Sequence, residues 1–152
     1  MHERKDKWSV GEWMSVNPQI VAPETPVTHA FYAMRSGGFR QLPVVDDGRV
    51  VGIVTDRDLR RPDLTDEPDG WNDYYQLNED TEVRHVMTDK VLTLSTSDRL
   101  EKALDLLLEK KFGALPVLDR KDALIGIITT YDIMRAFRAV LDDVGDQLRP
   151  DA

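Results

Sequence analysis

The chain has 152 residues, of which 41% are hydrophobic and 32% are charged, and this length and composition are typical of a globular protein. Its formal net charge of −8 disfavours nucleic acid or an anionic membrane surface as a partner, and no apolar run reaches the roughly 20 residues that span a bilayer. The absence of cysteine excludes disulfides and thiolate metal sites and, with a start too charged for a signal peptide, predicts a cytoplasmic protein.

The first part of the chain predicts short strands and helices behind a charged tail, residues 1–7. Its clearest helix has Thr25 as the cap and Pro26 as the first helical residue, and it ends at Gly37-Gly38. Asp47-Gly48 predicts a tight hairpin turn. The other predicted elements are a helical turn at Val10–Met14, a strand at Ile20–Val21, hairpin strands at Leu42–Asp46 and Val50–Val54, and a helix at Asp56–Arg61.

Residues 63–80 interrupt this pattern, because they are acidic, rich in turn-forming residues and without helical or strand periodicity. We interpret them as a linker between two units, residues 8–62 and residues 81–143. The aromatic residues of the linker, Trp71, Tyr74 and Tyr75, are expected on the surface or in a dimer contact, with a ligand lid as the alternative.

The second unit predicts the same succession of elements. Its clearest helix has Asp98 as the cap and carries one apolar stripe, made of Leu100, Ala103, Leu104, Leu107 and Leu108. The remaining predicted elements are a short segment Val83–Met87, strands at Val91–Leu94, Leu115–Leu118 and Leu124–Ile128, and a last helix that starts after Thr129 and continues to about Asp143.

Two short phrases occur in both units. Leu42–Asp46 corresponds to Leu115–Leu118 and the aspartate after it, and Gly52–Asp58 corresponds to Gly126–Asp132. The offset is 73 residues up to the first phrase and 74 from the glycines onward, so the second turn has gained one residue. A duplication of this length predicts two related units that share a core, and two related versions of any site.

The second phrase predicts a buried strand that leads directly into a helix, with Thr55 or Thr129 at the junction and Asp58 or Asp132 three residues later. A helix N-terminus attracts anions, and a threonine hydroxyl can donate to a phosphate oxygen. The carboxylate instead suits the two neighbouring hydroxyls of a ribose. The alternative is a capping box, in which the acid reaches back to the backbone of the threonine. The two roles are compatible.

The order β-α-β-β-α in each unit resembles the cystathionine-β-synthase (CBS) domain, and two such units resemble the CBS pair known as a Bateman module. The words that carry the resemblance are Met14-Ser15 and Met87-Thr88, the duplicated Leu-Pro-Val, and Gly-x-x-Thr-x-x-Asp. The layout resembles stand-alone bacterial CBS-pair proteins of the acetoin-utilisation type. The resemblance implies an α/β fold of two repeats packed through their small sheets with pseudo-two-fold symmetry, and a homodimer.

The resemblance also implies an adenosyl ligand in the cleft between the repeats, with no cofactor required. In CBS pairs the aspartate typically holds ribose and the threonine contacts phosphate, which implies Thr55 with Asp58 and Thr129 with Asp132. The residues implied near the base are Ile20, Val21, Leu42 and Pro43 in the first repeat, and Thr93, Leu94, Leu115 and Pro116 in the second.

The charges near the Leu-Pro strands favour a ligand with few phosphates. Family members that bind several phosphates often carry a basic residue just before this strand, where this chain has Gln41 and Ala114. This departure favours AMP, or S-adenosylmethionine, over ADP and ATP. If one copy alone is occupied, we expect the first, because Arg40, Arg57 and Arg60 give it positive charge.

The sequence contains no recognisable catalytic constellation. The three histidines, His2, His29 and His85, are scattered, and neither phosphate-binding glycine pattern is present. We therefore expect a non-catalytic sensor whose ligand changes the signal to an unknown protein partner, without a metal site. The alternative is a structural or interaction module, a dimer with vestigial clefts that regulates its partner by contact alone.

Overall fold

The computed structural model describes residues 6–60 and 80–149 of the chain. They form two compact units, which we call the first-repeat unit, Pro18–Val91, and the second-repeat unit, Met1–Asn17 with Leu92–Ala152. The predicted linker, apart from Asp80, lies outside the described residues, and so do its three aromatic side chains.

The described elements follow one another in the predicted order. The helices are α1 (Val10–Trp13), α2 (Val27–Gly37), α3 (Asp56–Leu59), α4 (Leu100–Lys110) and α5 (Thr130–Leu148), with a 3-10 turn at Val83–His85. The strands are β1 (Ser15–Val16), β2 (Gln41–Asp46), β3 (Arg49–Thr55), β4 (Leu94–Ser95), β5 (Ala114–Leu118) and β6 (Leu124–Thr129).

The first-repeat unit is built on the antiparallel hairpin β2–β3, in which Leu42 pairs with Val54. Its turn is the predicted one, because Asp47 and Gly48 both have positive φ, 48° and 76°. Helix α2 ends at Gly37, and the following Gly38 has a φ of 70°. Together these elements enclose a core of Val21, Val27, Ala30, Met34, Leu42, Val44, Val54, Leu59 and Val83.

The second-repeat unit contains a four-stranded sheet with the order β1-β6-β5-β4. Strand β5 pairs antiparallel with β6 and parallel with β4. The apolar side of α4 and the start of α5 pack with this sheet around a core of Val10, Leu94, Leu100, Ala103, Leu107, Leu115, Val117, Ile128 and Ala136.

Each unit includes a short segment that precedes the other repeat in sequence. In the second-repeat unit, Ser15 pairs with Ile127, so the segment before the first repeat completes the second sheet. In the first-repeat unit, Thr88 and Ile53 exchange two backbone hydrogen bonds of 2.9 and 3.0 Å. The compact units therefore differ from the sequence repeats 8–62 and 81–143, since strand pairing joins segments that are distant in sequence.

The glycine of each duplicated phrase receives a methionine from such a segment. A Cβ atom at Gly52 would lie 2.4 Å from Sδ of Met87, and one at Gly126 would lie 2.5 Å from Sδ of Met14. Any larger residue would force the methionine to shift, so close packing favours glycine at both positions. This contact explains why the Met-Ser and Met-Thr words occur with the glycine phrase.

The start of α2 differs from the prediction. The helix begins at Val27, and Pro26 is the N-cap, with φ −59° and ψ 140°. Thr25 does not cap the helix, because its hydroxyl accepts a hydrogen bond from the backbone N–H of Ala22 at 3.0 Å. The hydroxyl therefore stabilises the turn before the helix.

The start of α4 was also predicted wrongly. The N-cap is Arg99, not Asp98, and it makes no side-chain capping hydrogen bond. The Asp98 carboxylate instead accepts from the backbone N–H of Ser95 at 2.8 Å, and it also pairs with Lys102 at 3.1 Å. A short acidic side chain thus closes the turn between β4 and α4, a competing use of aspartate.

Several observed boundaries of strands and helices also differ from the predicted ones. Only Val21 of the predicted Ile20–Val21 strand pairs, in a single bridge with Val44. Strand β4 shares only Leu94 with the predicted Val91–Leu94 and ends one residue later. The described helix α3 ends at Leu59, before the predicted Arg61, whereas α5 continues past the predicted Asp143 to Leu148. Two members of the predicted α4 stripe are not in the core, since Leu104 is 39% and Leu108 is 69% exposed.

We predict that Gly126→Ala destabilises the protein by about 1–3 kcal/mol, because the added methyl group overpacks the site against Met14. The free energy of unfolding in urea measures this. Gly145→Ala is the matched control: no atom lies within 4 Å of the new Cβ on α5, so we expect a gain of up to about 1 kcal/mol. Adding Met14→Ala should restore part of the loss at Gly126, and equal losses with and without Met14 would contradict the packing explanation.

Candidate functional site

The first corner is the junction of β3 and α3, where no residue separates strand from helix. Thr55 is the N-cap, and its hydroxyl oxygen accepts from the backbone N–H of Asp58 at 3.1 Å. In return, Oδ2 of Asp58 accepts from the backbone N–H of Thr55 at 2.9 Å. This confirms the capping interpretation for the first copy.

The second corner, at the junction of β6 and α5, has the same reciprocal box. Asp132 donates its backbone N–H to the Thr129 hydroxyl at 3.3 Å, and Oδ2 of Asp132 accepts from the backbone N–H of Thr129 at 2.9 Å. The two corners therefore share a structural task, since both satisfy the first N–H groups of a helix. The capping role by itself does not distinguish them.

The polar atoms beyond the box do distinguish them. At the second corner, the Thr129 hydroxyl also donates to Oδ2 of Asp132 at 3.0 Å, and Oδ1 accepts from Ser15 Oγ and Arg135 Nη1, both at 3.4 Å. Asp132 is only 1% exposed. Its carboxylate is therefore enclosed and hydrogen-bonded on both oxygens.

The first corner is more open. Asp58 and Thr55 are half-buried. Among the residues that the structure describes, Oδ1 of Asp58 accepts no hydrogen bond, and the Thr55 hydroxyl donates none. One carboxylate oxygen and one hydroxyl proton thus remain available at this corner.

Of the three arginines expected to give the first corner positive charge, Arg60 already has partners in the structure. The side chain of Arg60 lies 3.8 Å from the Asp56 carboxylate and 5.7 Å from the Phe31 ring. Arg57 is exposed on α3, and the backbone oxygen of Arg40 accepts from the N–H of Asp56 at 2.9 Å, which places Arg40 beside the corner. Within residues 6–60 and 80–149 neither Arg40 nor Arg57 forms an ion pair, so both keep a free guanidinium.

The second corner lacks these cations. Gly113 occupies the position of Arg40, and its backbone oxygen accepts from Thr130 N at 3.2 Å. Tyr131 stands where Arg57 stands in the first repeat, and its side chain is 69% exposed. An anion near the second corner would therefore meet less positive charge.

The residues predicted near the base divide into two groups. Ile20, 48% exposed, and Thr93 lie on the surface of their units. The other six have buried side chains, and all but the two prolines belong to the cores described above: Val21, Leu42, Pro43, Leu94, Leu115 and Pro116. Contact of the base with these six stays a prediction, and only the two surface residues offer an open side chain.

Other kinds of site were sought in the same units. The described part of the chain contains no group of three or more His, Cys, Asp or Glu side chains that would hold a metal ion. No helix among the described residues is both long enough and apolar enough to cross a membrane. His29 and His85 lie on different elements, and His85 accepts from the backbone N–H of Glu82 at 3.3 Å, which is a local structural role.

The chain belongs to the CBS domain family, because the family model for the CBS domain matches residues 10–63 and 83–139. It is 31% identical over 140 residues to a CBS domain-containing protein of Dictyostelium discoideum, covering 91% of this chain and 97% of that protein. This membership confirms the resemblance drawn from the duplicated phrases.

Solved CBS-pair structures confirm the α/β fold class. CBSX2 from Arabidopsis thaliana, crystallised in complex with AMP, is 33% identical, with a TM-score of 0.73 over 88% of this chain and 98% of that chain. A Vibrio cholerae protein described as the acetoin utilization protein AcuB is 25% identical, with a TM-score of 0.72 over 93% of this chain and 98% of that one. The predicted acetoin-utilisation type is thus among the structural neighbours.

The chain spans only part of some relatives. It covers 63% of the full-length chloroplastic CBSX2, and 46% of a Methanocaldococcus jannaschii protein, MJ1225, to which it is 30% identical.

Two residues at the second corner were missed by sequence reasoning, Ser15 and Arg135. Arg135 lies three residues after Asp132 on α5, and this spacing is a signal that predicts a contact on one helix face. Ser15 is distant in sequence, and only the pairing of β1 with β6 places it beside Asp132. The Met14-Ser15 motif drew attention to Ser15 but did not predict its hydrogen bond to Asp132.

We predict that Asp132→Ala destabilises the ligand-free protein more than Asp58→Ala does. Removal of the buried Asp132 leaves its part-buried hydrogen-bond donors without an acceptor, at a cost of about 1–3 kcal/mol for each donor that water does not reach. Removal of the half-buried Asp58 deletes a cap worth about 0.5–2 kcal/mol. Urea denaturation of both variants measures the difference. An equal or reversed order would contradict the unequal burial of the two carboxylates.

Proposed function

We propose that this protein is a non-catalytic regulatory sensor that binds an adenosyl ligand, with AMP favoured, at the first corner. The observation that carries the proposal is the polar set left unsatisfied there: Oδ1 of Asp58, the hydroxyl proton of Thr55, and the free guanidinium groups of Arg40 and Arg57. The complex of the 33% identical CBSX2 with AMP supports this choice of ligand.

Each part of AMP has a matching group at this corner. The second oxygen of Asp58 accepts from a ribose hydroxyl while the first keeps its capping bond to Thr55. The Thr55 hydroxyl donates to the phosphate, and a neighbouring arginine balances its charge. For the base we propose Ile20, whose exposed apolar side chain precedes the bridge of Val21 to Val44 of β2. The ligand therefore binds without breaking the capping box.

Two free arginines favour a monophosphate over a triphosphate. Gln41 and Ala114 supply no further cation in front of the Leu-Pro strands, and Ala114 is buried. A ligand without phosphate, such as S-adenosylmethionine, would use the ribose and base contacts alone. The cytoplasmic location stays a prediction, as does the unknown protein that reads the signal.

We further propose that the chain forms a homodimer through α5. Five side chains on this helix are between 40% and 73% exposed and follow one another at spacings of three and four residues: Met134, Phe137, Leu141, Val144 and Leu148. This is the a/d spacing of a coiled-coil seam, which is complementary to a copy of itself. The last three lie beyond the range matched by the family model, which ends at residue 139.

A groove beside this seam extends the apolar surface. It has a volume of about 320 Å³ and lies between α4, α5 and the N-terminal segment. Its lining is mostly apolar and includes Trp8, Leu104, Ile133, Phe137 and Val140. An exposed apolar surface of this kind is typical of an interface, and it also favours the alternative function, an interaction module that acts by contact.

The ligand proposal predicts that AMP raises the melting temperature of the purified protein. At about 100 times its dissociation constant, a ligand adds about 2.7 kcal/mol to the stability of the folded state. Asp58→Ala should weaken AMP binding about 10–100-fold, since charge-assisted hydrogen bonds contribute about 1.5–3 kcal/mol. Asp132→Ala is the matched control and should leave AMP affinity unchanged. If AMP, ADP, ATP and S-adenosylmethionine all leave the melting temperature unchanged, the interaction module is the better account.

The dimer proposal predicts that Leu141→Lys shifts the protein toward the monomer, because it places a charge in the apolar seam. Analytical ultracentrifugation over a concentration series measures the shift. Asp146→Lys is the control, since position 146 is exposed on the same helix and lies away from the seam. A wild-type monomer at all concentrations would rule the dimer out. If the Leu141→Lys variant is still a dimer, the interface lies on another face of the protein.

A further inference from the structure

The segment Asp6–Val16, which we call the clasp, contacts α5 at three places within the second-repeat unit. Lys7 Nζ lies 2.6 Å from the Asp143 carboxylate, and the ring of Trp13 lies 5.8 Å from the Arg135 guanidinium. Nearer the corner, Ser15 Oγ donates to Oδ1 of Asp132 at 3.4 Å. The clasp therefore reaches from the second corner along the next three turns of the helix.

The position of the clasp is fixed by backbone hydrogen bonds. The N–H of Leu100 donates to the Trp8 oxygen at 2.9 Å, and the N–H of Val10 donates to the Asp98 oxygen at 2.8 Å. The two tryptophans of the clasp stack with ring centroids 5.9 Å apart. The pairing of Ser15 with Ile127 then places the serine hydroxyl beside Asp132.

Among the described residues, both oxygens of Asp132 and the hydroxyl proton of Thr129 are therefore engaged at this corner. Oδ2 of Asp132 is used by the backbone and hydroxyl of Thr129, and Oδ1 is used by Ser15 and Arg135. The hydroxyl proton that a phosphate would need is given to Asp132 as well. A ribose at this corner would have to displace either the serine or the arginine.

The first corner has no equivalent of the serine contact. Thr88 corresponds to Ser15 in the repeat and pairs with Ile53 through the backbone, but in the described structure its side chain makes no hydrogen bond to Asp58. The counterpart of Arg135 is Arg61, which lies outside the described residues. The difference between the corners is thus tied to the clasp.

We propose that the clasp keeps the second corner closed and thereby limits the protein to one adenosyl ligand per chain. This inference rests on the proposed function, since it concerns the same kind of site. The side chains of Lys7 and Arg135, 59% and 51% exposed, make surface contacts that contribute little individually. Removing the side-chain contacts of Ser15 and Arg135 therefore costs little, leaves the backbone of the clasp in place, and frees Asp132 and Thr129 for a second ligand.

Isothermal titration calorimetry with AMP tests this. The wild-type protein should bind one AMP per chain, and Ser15→Ala combined with Arg135→Ala should bind two. The second event should disappear when Asp132→Ala is added to that variant. Thr88→Ala is the matched control at the equivalent position of the first repeat and should leave the number at one. Two AMP molecules per wild-type chain, or one per chain in the double variant, would overturn the inference.

Failure of the proposed function gives a different pattern. If neither the wild-type protein nor any variant binds AMP, the proposed function fails. The contact between the clasp and Asp132 is then tested by a double-mutant cycle, in which melting temperatures are measured for Ser15→Ala, Asp132→Ala and the double variant. Shifts in melting temperature that are not additive support the contact, and additive shifts overturn it. AMP bound by the double variant alone, and lost with Asp132→Ala, supports the clasp while removing the first corner as the ligand site.

Discussion

The structure depends on the direct passage from strand to helix in each repeat. Because β3 ends at Thr55 and α3 starts at the next residue, the first N–H groups of the helix have no loop to satisfy them. Threonine and aspartate three residues apart supply acceptors from both ends of the junction. The same requirement places a hydroxyl and a carboxylate within one turn of each other. The nucleotide site that we propose would use these same two residues.

The two corners differ in how many of their polar atoms form hydrogen bonds within the protein. Asp132 is enclosed by its own helix and by the N-terminal segment, whereas Asp58 keeps one oxygen outside its capping box. Buried carboxylates are stable only when hydrogen-bonded, so the enclosed corner favours the fold. The open corner has fewer such hydrogen bonds, and its free polar atoms are those that the proposed ligand would use.

The difference between the two corners is related to the short segments that precede one repeat and pack in the unit of the other. Met14 and Met87 pack on the glycine of the repeat that follows or precedes their own, and each carries the next residue toward a corner. In one unit that residue is Ser15, which reaches the carboxylate, and in the other it is Thr88, which pairs through the backbone alone. The residue beside this common packing contact is thus one of the differences between the two corners. The exposed apolar surface of α5 belongs to the same unit as the enclosed corner, whereas the open corner belongs to the other unit.

The sequence by itself determined the duplication, the order of elements, the Asp47-Gly48 turn and the capping pairs, because each depends on residues close together along the chain. It misplaced the caps at Thr25 and Asp98, where short polar side chains had equally local turns to stabilise. Only the tertiary structure decided which segment completes which sheet, and therefore that Ser15 meets Asp132. Strand pairing across most of the chain leaves no local pattern, so the inequality of the two corners appears only when the sheet is formed.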